Sequence, residues 1–340
     1  MIQAIKKYAV LKDVIERCDE VVRERLRDNA IREADIALES FDNGGKRLRP
    51  ALLVLCSQLP RGDGIGHVEP GLVDLAGAVE LVHLATLFHD DVIDEVDHRR
   101  TKQSARLKYG NYASVLTGDF ALAEALELVQ RSQRPEAMPE FIRTLRVLVR
   151  GESLETVHKF DYDITEAQYY DIISEKSASL FALACKASVV GHAPEYADVL
   201  GHFGWNLGMA FQMIDDLDDM LDSPARSDDC DLRAGYLALP MIRVLSSLTD
   251  GHRDELVRII DQADLTEENQ RFIVSLCMEY GAFREAHQTI HKHLDRARTS
   301  LDRFGQGEAV TLLRQVTGDL AAYADAQLAD YAGFADRMAS

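Results

Sequence analysis

The sequence predicts an all-α protein, and three observations carry the prediction. Apolar residues recur at helical spacing almost throughout. Alternating, strand-like segments are hard to find. The eight prolines stand between periodic segments, and none follows Pro240.

The first helical stretch carries Ile5, Tyr8, Ala9, Leu11 and Ile15, then Val21, Val22 and Leu26. Gly44-Gly45 breaks the chain before a helix that begins near Arg47. A loop rich in Gly and Pro covers residues 59–71. Leu72, Leu75, Ala76, Val79, Val82 and Leu87 then mark a long apolar helix. Breaks fall at 133–139 and 160–165, and an Asp- and Ser-rich loop at 223–235. Residues 250–269 are polar, yet Leu256, Ile259 and Ile260 keep helical spacing. No composition shift or solenoid period divides the chain, so one domain is expected over residues 1–340.

Composition narrows the function. The formal charge is −19, from 38 Lys and Arg against 57 Asp and Glu. Such a surface disfavours nucleic acid and anionic membranes, which both need basic residues. The five cysteines are scattered, odd in number and form no C-x-x-C pair, as expected of free thiols in a reducing compartment. Lys6, Lys7, Lys12 and Asp13 interrupt the N-terminal apolar run, and no stretch of about 18 apolar residues exists. A cytoplasmic protein without a transmembrane segment is expected.

Two acidic clusters of the form D-D-x-x-D stand out, Asp90-Asp91-Val92-Ile93-Asp94 and Asp215-Asp216-Leu217-Asp218-Asp219. In each, the first and last Asp of the motif lie on one helical face, where like charges repel unless a cation compensates. Mg²⁺ prefers oxygen ligands and leaves part of its shell to phosphates, so two such faces across a cavity predict a Mg²⁺-dependent enzyme acting on a diphosphate. Lys46, Arg47 and Arg49 sit beside the glycine turn, where backbone and helix N-terminus favour phosphate. His83 precedes Asp90 by two turns and can donate to a phosphate oxygen. His89 either orients a carboxylate or packs. Arg99 and Arg100 follow Asp94 by about one and a half helical turns. Lys176 sits in an apolar helix, and Gln212 stands one turn before Asp215.

These residues fall in stretches that resemble the polyprenyl synthetase family, the trans-isoprenyl diphosphate synthases. The stretches are GGKRLRP (44–50), ELVHLATLFHDDVID (80–94), Arg99-Arg100, Gly118-Asp119-Phe120, KSASLF (176–181), FQMIDDLDD (211–219) and, less well, DLRAGYLALP (231–240). The resemblance implies the isoprenoid synthase fold, a many-helix bundle around a deep central cavity, usually a homodimer. It implies condensation of an allylic diphosphate, here farnesyl or geranylgeranyl, with isopentenyl diphosphate. Asp90, Asp91, Asp94, Asp215, Asp216 and Asp219 match the Mg²⁺ ligands, for three ions once diphosphate is bound. Lys46, Arg49, His83 and Arg100 match the isopentenyl diphosphate site. Arg99, Lys176, Ser177 and Gln212 match the allylic side, and Arg226 keeps the first cation of a following loop.

Product length is read beneath Asp90. Ala85 and Thr86 lie about 6–7.5 Å down the helix, with Val82 a turn deeper. In the family, bulky aromatics at the first two positions close the pocket. The small residues here predict a long product, with a geranylgeranyl-length chain or a subunit of a heteromeric synthase as alternatives. Three departures from the family pattern accompany this. Tyr236 replaces a Lys, Glu155 replaces a Gln, and Thr101-Lys102-Gln103-Ser104 replaces a Gly-x-Pro-Thr run.

Overall fold

Leu11, Val14, Cys18, Val22 and Leu26 are each buried at steps of three or four residues, which gives helix α1 (Ala9–Arg27) one apolar face. The computed structural model describes residues 9–27, 30–62, 66, 68–99, 102–221, 231–248, 250–263 and 265–339. Arg100 and Arg226 lie outside these residues, as do Ile5, Tyr8, Thr101 and Cys230. After α1 come α2 (Arg32–Asp42), α3 (Leu48–Gln58) and α4 (Pro70–Ile93). A two-residue hairpin follows, β1 (His98–Arg99) and β2 (Lys102–Gln103), paired antiparallel with His98 opposite Gln103. Helices α5 (Ala105–Tyr109), α6 (Asn111–Arg131), α7 (Ala137–Val157), α8 (Glu166–Ile173), α9 (Ser179–Ala187) and α10 (Ala197–Leu221) complete the central bundle. The rest is α11 (Asp231–Ala234), α12 (Leu239–Ser247), α13 (Asp250–Asp261), α14 (Glu267–Glu279), α15 (Ala282–Ser300) and α16 (Glu308–Ala339). The all-α expectation holds, and the polar segment at 250–269 is helical with Leu256, Ile259 and Ile260 fully buried.

Helix α4 is the axis of the bundle. Nearly every residue from Leu72 to Ala85 is buried, between α1, α3, α6 and α9. Its length and apolarity would suffice to cross a membrane, contrary to the sequence reading, but 78% of the apolar window is buried within the protein. Its apolarity is therefore that of a core helix. The helix also ends earlier than the Arg99-Arg100 spacing assumed. Glu95 takes a left-handed φ of 55°, and the Val96 N–H returns to the Asp91 carbonyl at 3.0 Å, a Schellman closure. Arg99 therefore rides on the hairpin, not on the Asp90 helix.

Helices α9 and α10 approach closely because α10 carries Gly204 and Gly208. A Cβ on Gly204 would stand 2.4 Å from the Phe181 carbonyl oxygen. Between α8 and α9 the chain widens into a π-helical turn, Ser174–Ala178, so Lys176 sits on an irregular segment and not within a plain α-helix. The described cysteines Cys18, Cys56, Cys185 and Cys277 are buried free thiols.

One buried polar pair makes stability pH-dependent. The His293 Nδ1 lies 2.9 Å from Asn206 Oδ1, and burial, helped by Arg296, pushes the imidazole down to about 4. An unfolded histidine titrates near ~6.5, so acid favours the unfolded chain between these values. Stability should fall as pH drops from about 6.5 through 4. His293→Gln should flatten that slope in denaturant titrations; parallel pH profiles would show that His293 is not held neutral.

Candidate active site

The basic turn owes its shape to Arg47. This residue has a φ of 48°, caps α3, and donates to Asp19 Oδ1 at 2.7 Å, Glu80 Oε1 at 2.8 Å and the Phe41 carbonyl at 3.1 Å. Arg47 is thus a bracket between α1, α4 and the turn. Its neighbours Lys46 and Arg49 line a cavity of about 1220 Å³, together with His83. The Arg49 guanidinium lies over the Phe181 ring at 4.5 Å, and its buried Nε has no hydrogen-bond partner among the described residues. Burial pulls its pKa down to about 10, against the pull of Glu80 and Asp215. A buried cationic donor left unpaired is costly, and an anion delivered to the cavity would offset that cost.

The acidic clusters meet where this cavity joins a smaller one of about 290 Å³. Asp90, Asp91 and Asp215 line the larger space; Asp90, Asp94, Asp215, Asp216 and Asp219 line the smaller. Lys176, Ser177 and Gln212 line both. The structure therefore brings together all six predicted carboxylates with six of the predicted polar partners. Arg99 is placed only as part of β1, and its hairpin partner Lys102 lines the larger cavity and donates to Asn43 Oδ1. The donor set around the smaller space is carboxylate oxygen, which suits Mg²⁺.

Hydrogen bonds hold these carboxylates in place. Ser177 Oγ donates to Gln212 Oε1 at 2.6 Å, and Gln212 Nε2 donates to Asp216 Oδ1 at 2.7 Å. Tyr169 donates to the other Asp216 oxygen at 2.5 Å. Burial nevertheless pushes the Asp216 carboxyl up to about 7, outweighing both donors. Asp218, the one Asp of the second cluster outside the D-D-x-x-D positions, is taken by Tyr323 at 2.9 Å and Gln327 at 2.6 Å from α16. His89 does not reach the carboxylates of either cluster. Its ring packs on Gly118, and its Nε2 lies 3.3 Å from Asp119 Oδ1, which accounts for the Gly118-Asp119 pair.

Two departures noted in the sequence are in contact with this network. Tyr236 donates to Asp94 Oδ1. The Lys176 ammonium bonds Glu155 and lies 3.0 Å from Glu152. Burial raises Glu155 to about 7 although Lys176 opposes the shift. Glu152, Glu155 and Asp94 bring carboxylate oxygens within 4.8 Å of one another. Glu152 was missed in the sequence; its signal is the i,i+3 pairing with Glu155 on α7. Cavity residues Val82, Ala85 and Thr86 line the larger space beneath Asp90, as their spacing predicts.

Two acidic helix ends and a basic turn are thus set around two adjoining cavities of an all-α bundle. Residues 34–277 match the family described as Polyprenyl synthetase. The octaprenyl diphosphate synthase of Escherichia coli (strain K12) is 35% identical over 229 residues, 65% of this chain and 68% of that one. The short chain isoprenyl diphosphate synthase of Methanothermobacter thermautotrophicus is 27% identical over 322 residues, 89% of this chain and 96% of that one. A polyprenyl synthase from Caulobacter crescentus CB15, solved with calcium and isoprenyl diphosphate, superposes with a TM-score of 0.82 at 29% identity, covering 92% of this chain and 95% of that one. The chain belongs to the polyprenyl synthetase family.

The Tyr236 contact can be tested without substrate. Tyr236→Phe leaves Asp94 short of a donor beside Glu155, and a hydrogen bond to a charged group contributes about 1.5–3 kcal/mol. Urea unfolding of the metal-free variant should show a loss of that order, and unchanged stability would place the hydroxyl elsewhere.

Proposed function

We propose that this protein condenses an allylic diphosphate with isopentenyl diphosphate, head to tail and trans, and releases pyrophosphate and a long polyprenyl diphosphate. The observation that carries the reading is one large cavity walled by both the Lys46–Arg49 turn and the acidic helix ends, continuing past small residues below Asp90. Its volume of about 1220 Å³ exceeds the roughly 300–1,000 Å³ of an ordinary small-molecule site. Ala85, Thr86 and Val82 leave room for a chain of roughly six to ten isoprene units, the length of quinone side chains. Kinship alone sets no length, because relatives bear both octaprenyl and short-chain names.

In this reading Lys46, Arg49, His83 and Arg100 hold isopentenyl diphosphate. Lys176, Ser177, Gln212, Arg99 and Arg226 hold the allylic diphosphate. Asp90, Asp91, Asp94, Asp215, Asp216 and Asp219 are the ligands for Mg²⁺, which when bound neutralises the departing diphosphate. Phe88, Leu122, Leu145 and Leu148 keep water from the allylic carbon as it loses its leaving group. The isopentenyl double bond attacks that carbon, and a proton leaves to the pyrophosphate as the new trans double bond forms. We further propose one domain, a cytoplasmic location and a homodimer. Ile142 and Val149, seven residues apart on α7, are 49% and 70% exposed, an apolar face suited to a second copy.

Asp90→Ala or Asp215→Ala should lower turnover by at least about 100-fold at any practical Mg²⁺ concentration, read as radiolabelled isopentenyl diphosphate incorporated. Near-normal rates would remove the metal assignment. Ala85→Phe should shorten the product, sized by mass spectrometry with dimethylallyl, geranyl, farnesyl or geranylgeranyl diphosphate as primer. An unchanged length would route the growing chain elsewhere. No product from any primer would favour the subunit reading.

A further inference from the structure

Away from both cavities, two histidines and a carboxylate converge between the last two helices. His287 and His291 stand at i and i+4 on α15, so their rings share one face. Asp325 faces them from α16. The His287 Nε2 is 2.7 Å from Asp325 Oδ1, the His291 Nε2 is 3.0 Å from the same oxygen, and the two Nε2 atoms are 3.1 Å apart. The cluster is half-sheltered, with 18% and 29% of the two histidine side chains exposed and 59% of Asp325.

This spacing is close to that of a metal's ligands. Tetrahedral ligands at the usual Zn–N distance of about 2.0–2.1 Å lie roughly 3.3 Å from one another. The three atoms here need to part by only about 0.2–0.6 Å. Both Nε2 atoms and the Asp325 Oδ1 face one another at hydrogen-bond distance, so the three potential ligand atoms already converge on one point. The exposed side by Asp325 leaves room for water as the fourth ligand. Two imidazoles and one carboxylate suit Zn²⁺, Co²⁺ or Ni²⁺, whereas Mg²⁺ favours oxygen alone.

We propose that His287, His291 and Asp325 form a second metal site, chemically distinct from the acidic clusters, that takes a Zn²⁺-class ion and pins α16 to α15. The position gives the pin a consequence. Asp325 lies between Tyr323 and Gln327, which hold Asp218, and Tyr331 further along bonds the Leu217 carbonyl at 2.6 Å. A tie at Asp325 steadies the stretch of α16 that supports the second acidic cluster.

The test uses the full chain, stripped with chelator and kept in excess Mg²⁺ so that the acidic clusters do not compete. Zn²⁺ titrated by calorimetry should bind at about one ion per chain and raise the melting temperature. Co²⁺ should give the visible absorption of a histidine-ligated, low-coordinate ion. Loss of even an outer-shell partner costs about 10–100-fold in metal affinity, so His291→Ala and Asp325→Asn should each weaken Zn²⁺ binding by at least that much and abolish the Co²⁺ band. Asp90→Asn should leave both signals intact. Equal Zn²⁺ binding by wild type and His291→Ala, or no binding by the wild type, would overturn the proposal and leave the triad a proton-sharing contact. Should His291→Ala fail to fold, Asp325→Asn on the exposed side decides the matter.

Discussion

Carboxylates gathered at the ends of two helices repel one another, and much of the polar architecture of this protein answers that repulsion. Asp216 is satisfied by Tyr169 and Gln212, Asp94 by Tyr236, and Asp218 by Tyr323 and Gln327. Apart from Gln212, which shares α10 with Asp216, the donors come from other elements, so the cluster ties α10 and the end of α4 to α8, the chain after α11, and α16. The bonds do not cancel the cost of burial. Burial still pushes the Asp216 carboxyl up to about 7, so the site holds negative charge poorly by itself.

The opposite charge is handled by division of labour. Of the three cations in Lys46-Arg47-Leu48-Arg49, Arg47 is spent on structure, held by Asp19, Glu80 and the Phe41 carbonyl. That leaves Arg49 packed on Phe181 with a buried Nε unpaired among the described residues, a donor oriented by packing. Preorganisation of this kind avoids reordering a charged side chain when an anion binds.

Much of this was legible in the sequence. Helical periodicity gave the fold class, and the D-D-x-x-D spacing with the glycine turn gave the carboxylates and cations that line the cavities. What remained hidden depends on tertiary geometry. The left-handed Glu95 that ends α4, and so moves Arg99 onto a hairpin, leaves no signature in hydrophobic spacing. The π-turn under Lys176 looks like ordinary helix in sequence. The role of Arg47 is invisible because its partners lie 28 and 33 residues away. Asp218 stands at a spacer position of its motif, and nothing near it in sequence points to its partners on α16, about a hundred residues later.

The departures from the family pattern illustrate the same limit more sharply. Read one at a time, Tyr236 for Lys and Glu155 for Gln are unrelated changes about eighty positions apart, each making its locality more negative. In the fold they belong to one patch, because Asp94, which Tyr236 bonds, lies within reach of Glu155, which Lys176 bonds. The Lys that the pattern would place at 236 could pair with Asp94; a neutral hydroxyl does so instead. The added carboxylate at 155 engages Lys176 from the α7 side. Together the exchanges turn a cation-bearing rim into one where Lys176 answers two glutamates and Asp94 relies on a tyrosine. A cation at the acidic clusters would therefore meet less fixed positive charge on this side, and Lys176 would have to exchange its glutamate contacts for any phosphate it bound.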